Sequence, residues 1–217
     1  MSIRAKLFAA IVITAIVPIV LTAIALNGMS TLDARFADAE RAARGQELAL
    51  DLKFGVTDLN GWQTAWGYDD GESRPRFDAA VRAFRRDLAV ARARFTDPGE
   101  QRLVEDLAAG LDRFMALDAR AWSALQNNRP EVTKRILLGP EIRQFEAMAA
   151  TAQALADREA ARVRASREGF AAARRDARRK MVTVALGAGA LIVLLLVTAG
   201  DVARLALERE RERETPA

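Results

Sequence analysis

An all-α fold is predicted, with two transmembrane helices flanking an extracytoplasmic up-down four-helix bundle whose long outer helices are continuous with the spans. Three observations carry this reading. The runs Leu7–Leu26 and Met181–Gly200 each hold twenty residues without a charge. Apolar residues between the runs recur at alternating spacings of three and four, the period of a helix buried along one side. Glycine and proline punctuate that middle stretch sparsely and gather at a few breaks.

Composition narrows the function classes. The 217 residues contain neither cysteine nor histidine. No disulfide can form, and the commonest zinc, haem and iron–sulfur ligands are missing. The usual nucleophile–base pairs of acyl transfer are missing too. A carboxylate-only metal site lacks the dense acidic cluster it would need, so no metal, no cofactor and no enzymatic activity are expected. The pI of about 10.1 looks like a nucleic-acid signal until the charges are located. Between Gly28 and Lys180 there are 27 Lys/Arg against 24 Asp/Glu, mixed along helical stretches. Such mixing describes a solvated face laced with ion pairs, and no nucleic-acid partner is expected.

The elements follow in order. Residues 1–6 form a cytoplasmic N-terminus and 7–27 the first span, about twenty apolar residues being needed to cross ~30 Å of hydrocarbon. The basic start (Arg4, Lys6) and Ala23-Ile24-Ala25 resemble a cleavable signal peptide. The apolar run is longer than the usual ~7–15 residues of such a peptide, which favours an uncleaved signal anchor. Pro18 is tolerable inside a membrane helix. Residues 28–180 then form the extracytoplasmic domain, 181–200 the second span and 201–217 a short charged cytoplasmic tail. Arg4 and Lys6 orient this arrangement. The basic run Arg174, Arg175, Arg178, Arg179 and Lys180 opposes it, lying on the outer side of the second span. That run is read as contacting lipid headgroups.

Within the domain, breaks at 69–75, 96–99 and 127–130, with Gly139-Pro140 after them, predict helices at about 30–69, 75–95, 99–127 and 141–180 and a short helical piece at 131–138. At 1.5 Å per residue the outer two run roughly 60 Å. The second carries Phe77, Val81, Phe84, Leu88, Ala91 and Phe95 at spacings of 4, 3, 4, 3 and 4. The third carries Leu103, Leu107, Leu111, Phe114, Leu117, Ala121 and Leu125. The fourth carries Ile142, Phe145, Met148, Ala152, Leu155, Val163 and Phe170, diluted by alanine and by Glu159. All three stripes are read as core.

The first helix has two stripes, Phe36, Ala39, Ala43, Leu50, Phe54 and Leu48, Leu52, Gly55, Leu59, Trp62, Trp66, on largely different sides. Either the helix is buried more than halfway round by its own domain, or one stripe meets the same helix of a second subunit in a parallel two-fold dimer. Leu48, Leu52 and Leu59 are the candidate dimer stripe.

The most distinctive string is Asp58-Leu59-Asn60-Gly61-Trp62-Gln63-Thr64-Ala65-Trp66-Gly67-Tyr68-Asp69, with two of the three tryptophans and the only tyrosine. It lies ~35 residues past the first span, roughly 50 Å along a straight helix. A few polar groups amid aromatic surface is what a small-molecule pocket needs, which makes Asn60, Trp62, Gln63, Trp66 and Tyr68 candidate ligand or partner contacts. The other reading is that the tryptophans plug the end of the bundle and the amides cap its loop.

This string resembles the Asp-(Phe/Leu)-Asn-Gly-Trp-Gln-Thr-Ala pattern in the four-helix-bundle sensor domains of bacterial methyl-accepting chemotaxis receptors. The resemblance spans Met1 to about Gly200. It implies a receptor in the bacterial inner membrane, paired as a homodimer or with full-length receptors, in which a small-molecule or protein ligand shifts one signalling helix. It carries no ligand-contact residue over to this chain. Such receptors continue into a relay module and a long coiled coil. Here the charged tail Glu208–Glu214 stands in that place, so the expectation is a sensory module truncated before any output domain. A membrane-anchored helical scaffold is the alternative.

Overall fold

The computed structural model describes residues 3–214, with side-chain surroundings for 15–200 and for Ala203 and Arg204. The side chains of Arg4, Lys6 and the tail Glu208–Glu214 lie outside the described residues. Every described element is helical: α1 Ile3–Tyr68, α2 Arg74–Arg94, α3 Pro98–Gln126, α4 Pro130–Ile136, a π-helical turn Leu137–Glu141, and α5 Ile142–Glu214. The breaks fall where glycine and proline gather. The apolar runs continue α1 and α5 without interruption, and Pro18 lies inside α1 without ending it. The short piece expected at 131–138 becomes α4 and the start of the π-helical turn, which contains Pro140.

The chain divides into two compact units, Met1–Ala37 with Glu168–Ala217, and Asp38–Arg167. In the first, two helical segments are long and apolar enough to cross a membrane. Their large side chains face outward, Ile19, Leu26, Leu186 and Leu196 being 62–70% exposed. Phe36 meets Phe170 edge-on at 6.4 Å. Arg174, Arg175, Arg178, Arg179 and Lys180 are all exposed, and Lys180 pairs with Asp176 at 2.8 Å.

In the second unit, α1, α2, α3 and α5 supply one core. The five stripe residues of α2 from Phe77 to Ala91 are buried, and so is Phe95 just past its end. In α3 the buried line is shifted toward Val104, Leu107, Leu111, Phe114 and Ala121, with Leu103 and Leu125 half-buried against it. Fully burying one Leu or Phe contributes about 1.5–3 kcal/mol, so the stripes dominate the stability of this unit. Successive positions along α1 meet descending positions elsewhere: Gly45 lies beside Phe95 and Glu159, Gly55 beside Phe84, and Gly67 beside Leu137. Likewise Arg74 meets Asp118 and Arg92 meets Glu105. Helices in contact at these points run in opposite directions.

The two stripes of α1 are now distinguished. Leu48, Leu52 and Leu59 are 9%, 0% and 1% exposed and belong to the core of their own chain. The expectation that they form a dimer stripe is therefore corrected. They share one buried cluster with residues of α2, α3 and α5, whereas Phe54 on the opposite stripe is 62% exposed.

Candidate functional site

The turn from α1 to α2 builds the site. Asp69 accepts the Ser73 backbone N–H at 3.1 Å, and the Ser73 side chain first, with the backbone N–H groups of this turn after it, holds its carboxyl below its ordinary value. Gly71 takes φ +96°, a left-handed conformation open to glycine at no steric cost. It also has no Cβ to collide with the Trp122 ring, which would lie 2.8 Å away. The chain thus turns tightly beneath Trp122 and delivers Arg74 into the interior.

Around Arg74 lies a polar cluster whose members on α1, α3 and the π-helical turn are buried. Its guanidinium pairs with Asp118 at 2.9 and 3.0 Å and with Asp78 at 3.1 Å. The same group sits 4.8–5.4 Å from the centres of the Trp66, Phe77 and Trp122 rings, within cation–π range. Trp66 and Trp122 meet edge to face at 5.2 Å. The Gln63 amide Nε2 donates to Asp118 at 3.4 Å and to Glu141. Gln63, Asp118 and Glu141 are 2%, 0% and 1% exposed. Trp66 Nε1 and Glu141 Oε2 are buried without a hydrogen-bond partner.

Burial disfavours the charged form of both acids. Asp118 is pushed up by desolvation, with Arg74 and Gln63 pulling it back. Glu141 is pushed up to about 8, by burial first and by the neighbouring Asp118 charge second. The protonated form of Glu141 is therefore favoured well above the ordinary carboxylate range.

A cleft of about 40 Å³ adjoins the cluster. Asn60, Gln63, Thr64, Gly67 and Tyr68 of α1 line one side, and Lys134, Leu137, Leu138 and Ile142 the other. It has room for a few waters or a small ligand group, on the measure of about 10–15 Å³ per water. Gln63 links cleft and cluster. Among the described residues no group of three or more acidic side chains is placed to hold a metal ion.

A second acidic cluster joins α1, α3 and α5. Glu100 and Glu159 are each 1% exposed, and Arg162 reaches both, at 2.5 and 3.0 Å. Gly45 permits this approach, since a Cβ there would lie 2.2 Å from Glu159 Oε2. Burial pushes Glu159 up, with Glu100 adding to the shift.

The sequence candidates separate in space. Asn60, Gln63 and Tyr68 line the cleft, with Tyr68 at 69% exposure. Trp66 belongs to the buried cluster. Trp62 stays half-buried, with Arg76 stacked over it at 5.0 Å, away from Arg74. Sequence reasoning missed Arg74, Asp118, Trp122 and Glu141. A signal for two of them exists: Asp118 follows Phe114 by four, and Glu141 stands midway between Leu137 and Phe145, so each acid occupies an apolar stripe. No protein-family model, curated protein or solved structure matches this chain.

Proposed function

We propose that this chain is the membrane sensory module of a chemotaxis-receptor-like signal transducer, responding to an extracytoplasmic ligand or partner by displacing one long helix against another. In this reading the helices of Asp38–Arg167 form an up-down four-helix bundle outside the cytoplasmic membrane, the N-terminus is cytoplasmic, and the working unit is a homodimer or a pairing with full-length receptors. One observation carries it: the cleft beside the buried polar cluster is lined by α1 and by Ile142 at the start of α5, and those two helices also contain the apolar segments. A group bound there bears on both helices at once. Two packed arrangements separated by a small slide are the usual way such a contact becomes a signal.

The test is a thermal-shift screen of the full chain in lipid nanodiscs against small amides, amines, carboxylates and sugars. The sensory reading expects one ligand to raise the melting temperature, and Gln63→Ala to abolish that rise. Indifference to every ligand, together with a stable co-purifying protein, would favour a membrane-anchored scaffold instead.

A further inference from the structure

We propose that Asp118 and Glu141, gathered around Gln63 and Arg74, form a proton-binding site: a proton held on Glu141 closes α1, α3 and the π-helical turn on one another, and its loss in base loosens them. The charge count motivates this. Asp118 and Glu141 together would carry two negative charges on side chains that are buried. Each packed element has a definite contribution. From α1 come the neutral Gln63 and Trp66, from α2 come Arg74 and Asp78, and from α3 comes Asp118. Lys134 of α4 is exposed at the cleft and pairs with Glu131 at 3.6 Å. Arg74 is thus the cation at the cluster, and Asp78 already shares it. Of the two buried acids Arg74 offsets Asp118, and a proton on Glu141 neutralises the other, while the third carboxylate, Asp78, is partly exposed to solvent.

The hydrogen bonds agree with this count. Gln63 Nε2 donates to Glu141 Oε1, leaving Oε2 buried and free to carry the hydrogen. The raised position of Glu141, at about 8, places the release of that proton just above neutrality. The π-helical turn is the element suited to yield. Glu141 is its last residue, and Pro140 within it has no backbone N–H to hold the turn closed. Turns of this type recur at functional positions in helices. The physiological meaning of proton binding, as the stimulus or as a modulator of another ligand, rests on the sensory reading above. The site itself does not.

The experiment uses the full chain in nanodiscs, titrated from about pH 5 to about pH 10. Difference infrared spectra are expected to lose a protonated-carboxyl carbonyl band as the pH passes about 8. Glu141→Gln, which copies the neutral acid, is expected to lack that band and to lose less melting temperature over the same range, the remaining decline coming from Glu159, whose carboxyl is also pushed up. Glu159→Gln is expected to retain the band. Wild-type melting temperature is expected to fall by on the order of 5–10 °C across the range. A wild-type spectrum with no carboxyl change above neutrality overturns the proposal. So does the same change persisting in Glu141→Gln. Spin labels at Ala25→Cys and Ala185→Cys report on the first unit. A pH-dependent band with an unchanged label distance supports the proton site and counts against the sensory reading.

Discussion

At the scale of single residues, the interior of Asp38–Arg167 is sensitive where charge is sealed in. Arg74→Ala leaves Asp118 buried without its cation, and breaking a buried pair in this way costs about 3–5 kcal/mol. Urea unfolding followed by tryptophan fluorescence should register that loss. Arg74→Lys should recover only part of it, because an ammonium cannot both pair with Asp118 through two nitrogens and lie flat against Trp66, Phe77 and Trp122. Leu59→Lys reaches the core as well. Leu59 is 1% exposed, so the substitution buries an ammonium in the core rather than charging an outer face. It should unfold this unit outright, with a loss of at least about 3–5 kcal/mol, read as collapse of the cooperative melting transition.

Between elements, close approach decides the geometry, and glycines mark where it happens. At Gly110 of α3 a Cβ would lie 2.7 Å from Met148 Cγ of α5, and the Gly110 carbonyl accepts from Gln144 at 3.3 Å. Gly110→Leu should therefore overpack the α3–α5 contact and cost about 1–3 kcal/mol in chemical denaturation. The start of α3 illustrates a signal readable in sequence alone. Thr96-Asp97-Pro98-Gly99 marks a break, and Asp97 caps the helix by accepting from the Gly99 and Glu100 N–H groups. Helix ends of this kind are legible because capping and turn residues act over three or four positions. The π-helical turn was not legible, since Gly139-Pro140 announces a break without specifying its width. Nor did the pattern show which stripe of α1 faces inward. Both stripes satisfy a helical period, and the choice depends on three other helices.

For the molecule as a whole, stability should pass through a maximum in mildly acidic solution. Asp69, Asp97 and Glu105 have carboxyls held below their ordinary values by hydrogen bonds and arginine partners. Their contribution is present above the unfolded value and lost as pH falls through the folded one. Glu141 behaves oppositely. Its folded value of about 8 exceeds the ordinary 4.5, so its contribution is complete below the ordinary value and disappears as pH rises through about 8. Melting temperature plotted against pH should decline on both sides, and Glu141→Gln should shrink the decline between about 4.5 and about 8, leaving the part that the likewise raised Glu159 contributes.

Length, charge distribution and apolar period determined, without any coordinates, that the chain is helical, that its helices break near Tyr68, Phe95 and Asn127, and that two segments are apolar enough to span a bilayer. These properties are local, set by neighbours within a few residues or by the solvent a segment can tolerate. Tertiary structure alone decided that Leu48, Leu52 and Leu59 face inward, that Trp66 rather than Trp62 joins Arg74, and that Asp118 and Glu141 share one amide across 23 positions of sequence. A buried charge in an apolar stripe is visible in one dimension. Its partner is not, because the low dielectric that couples the two exists only after the helices have packed.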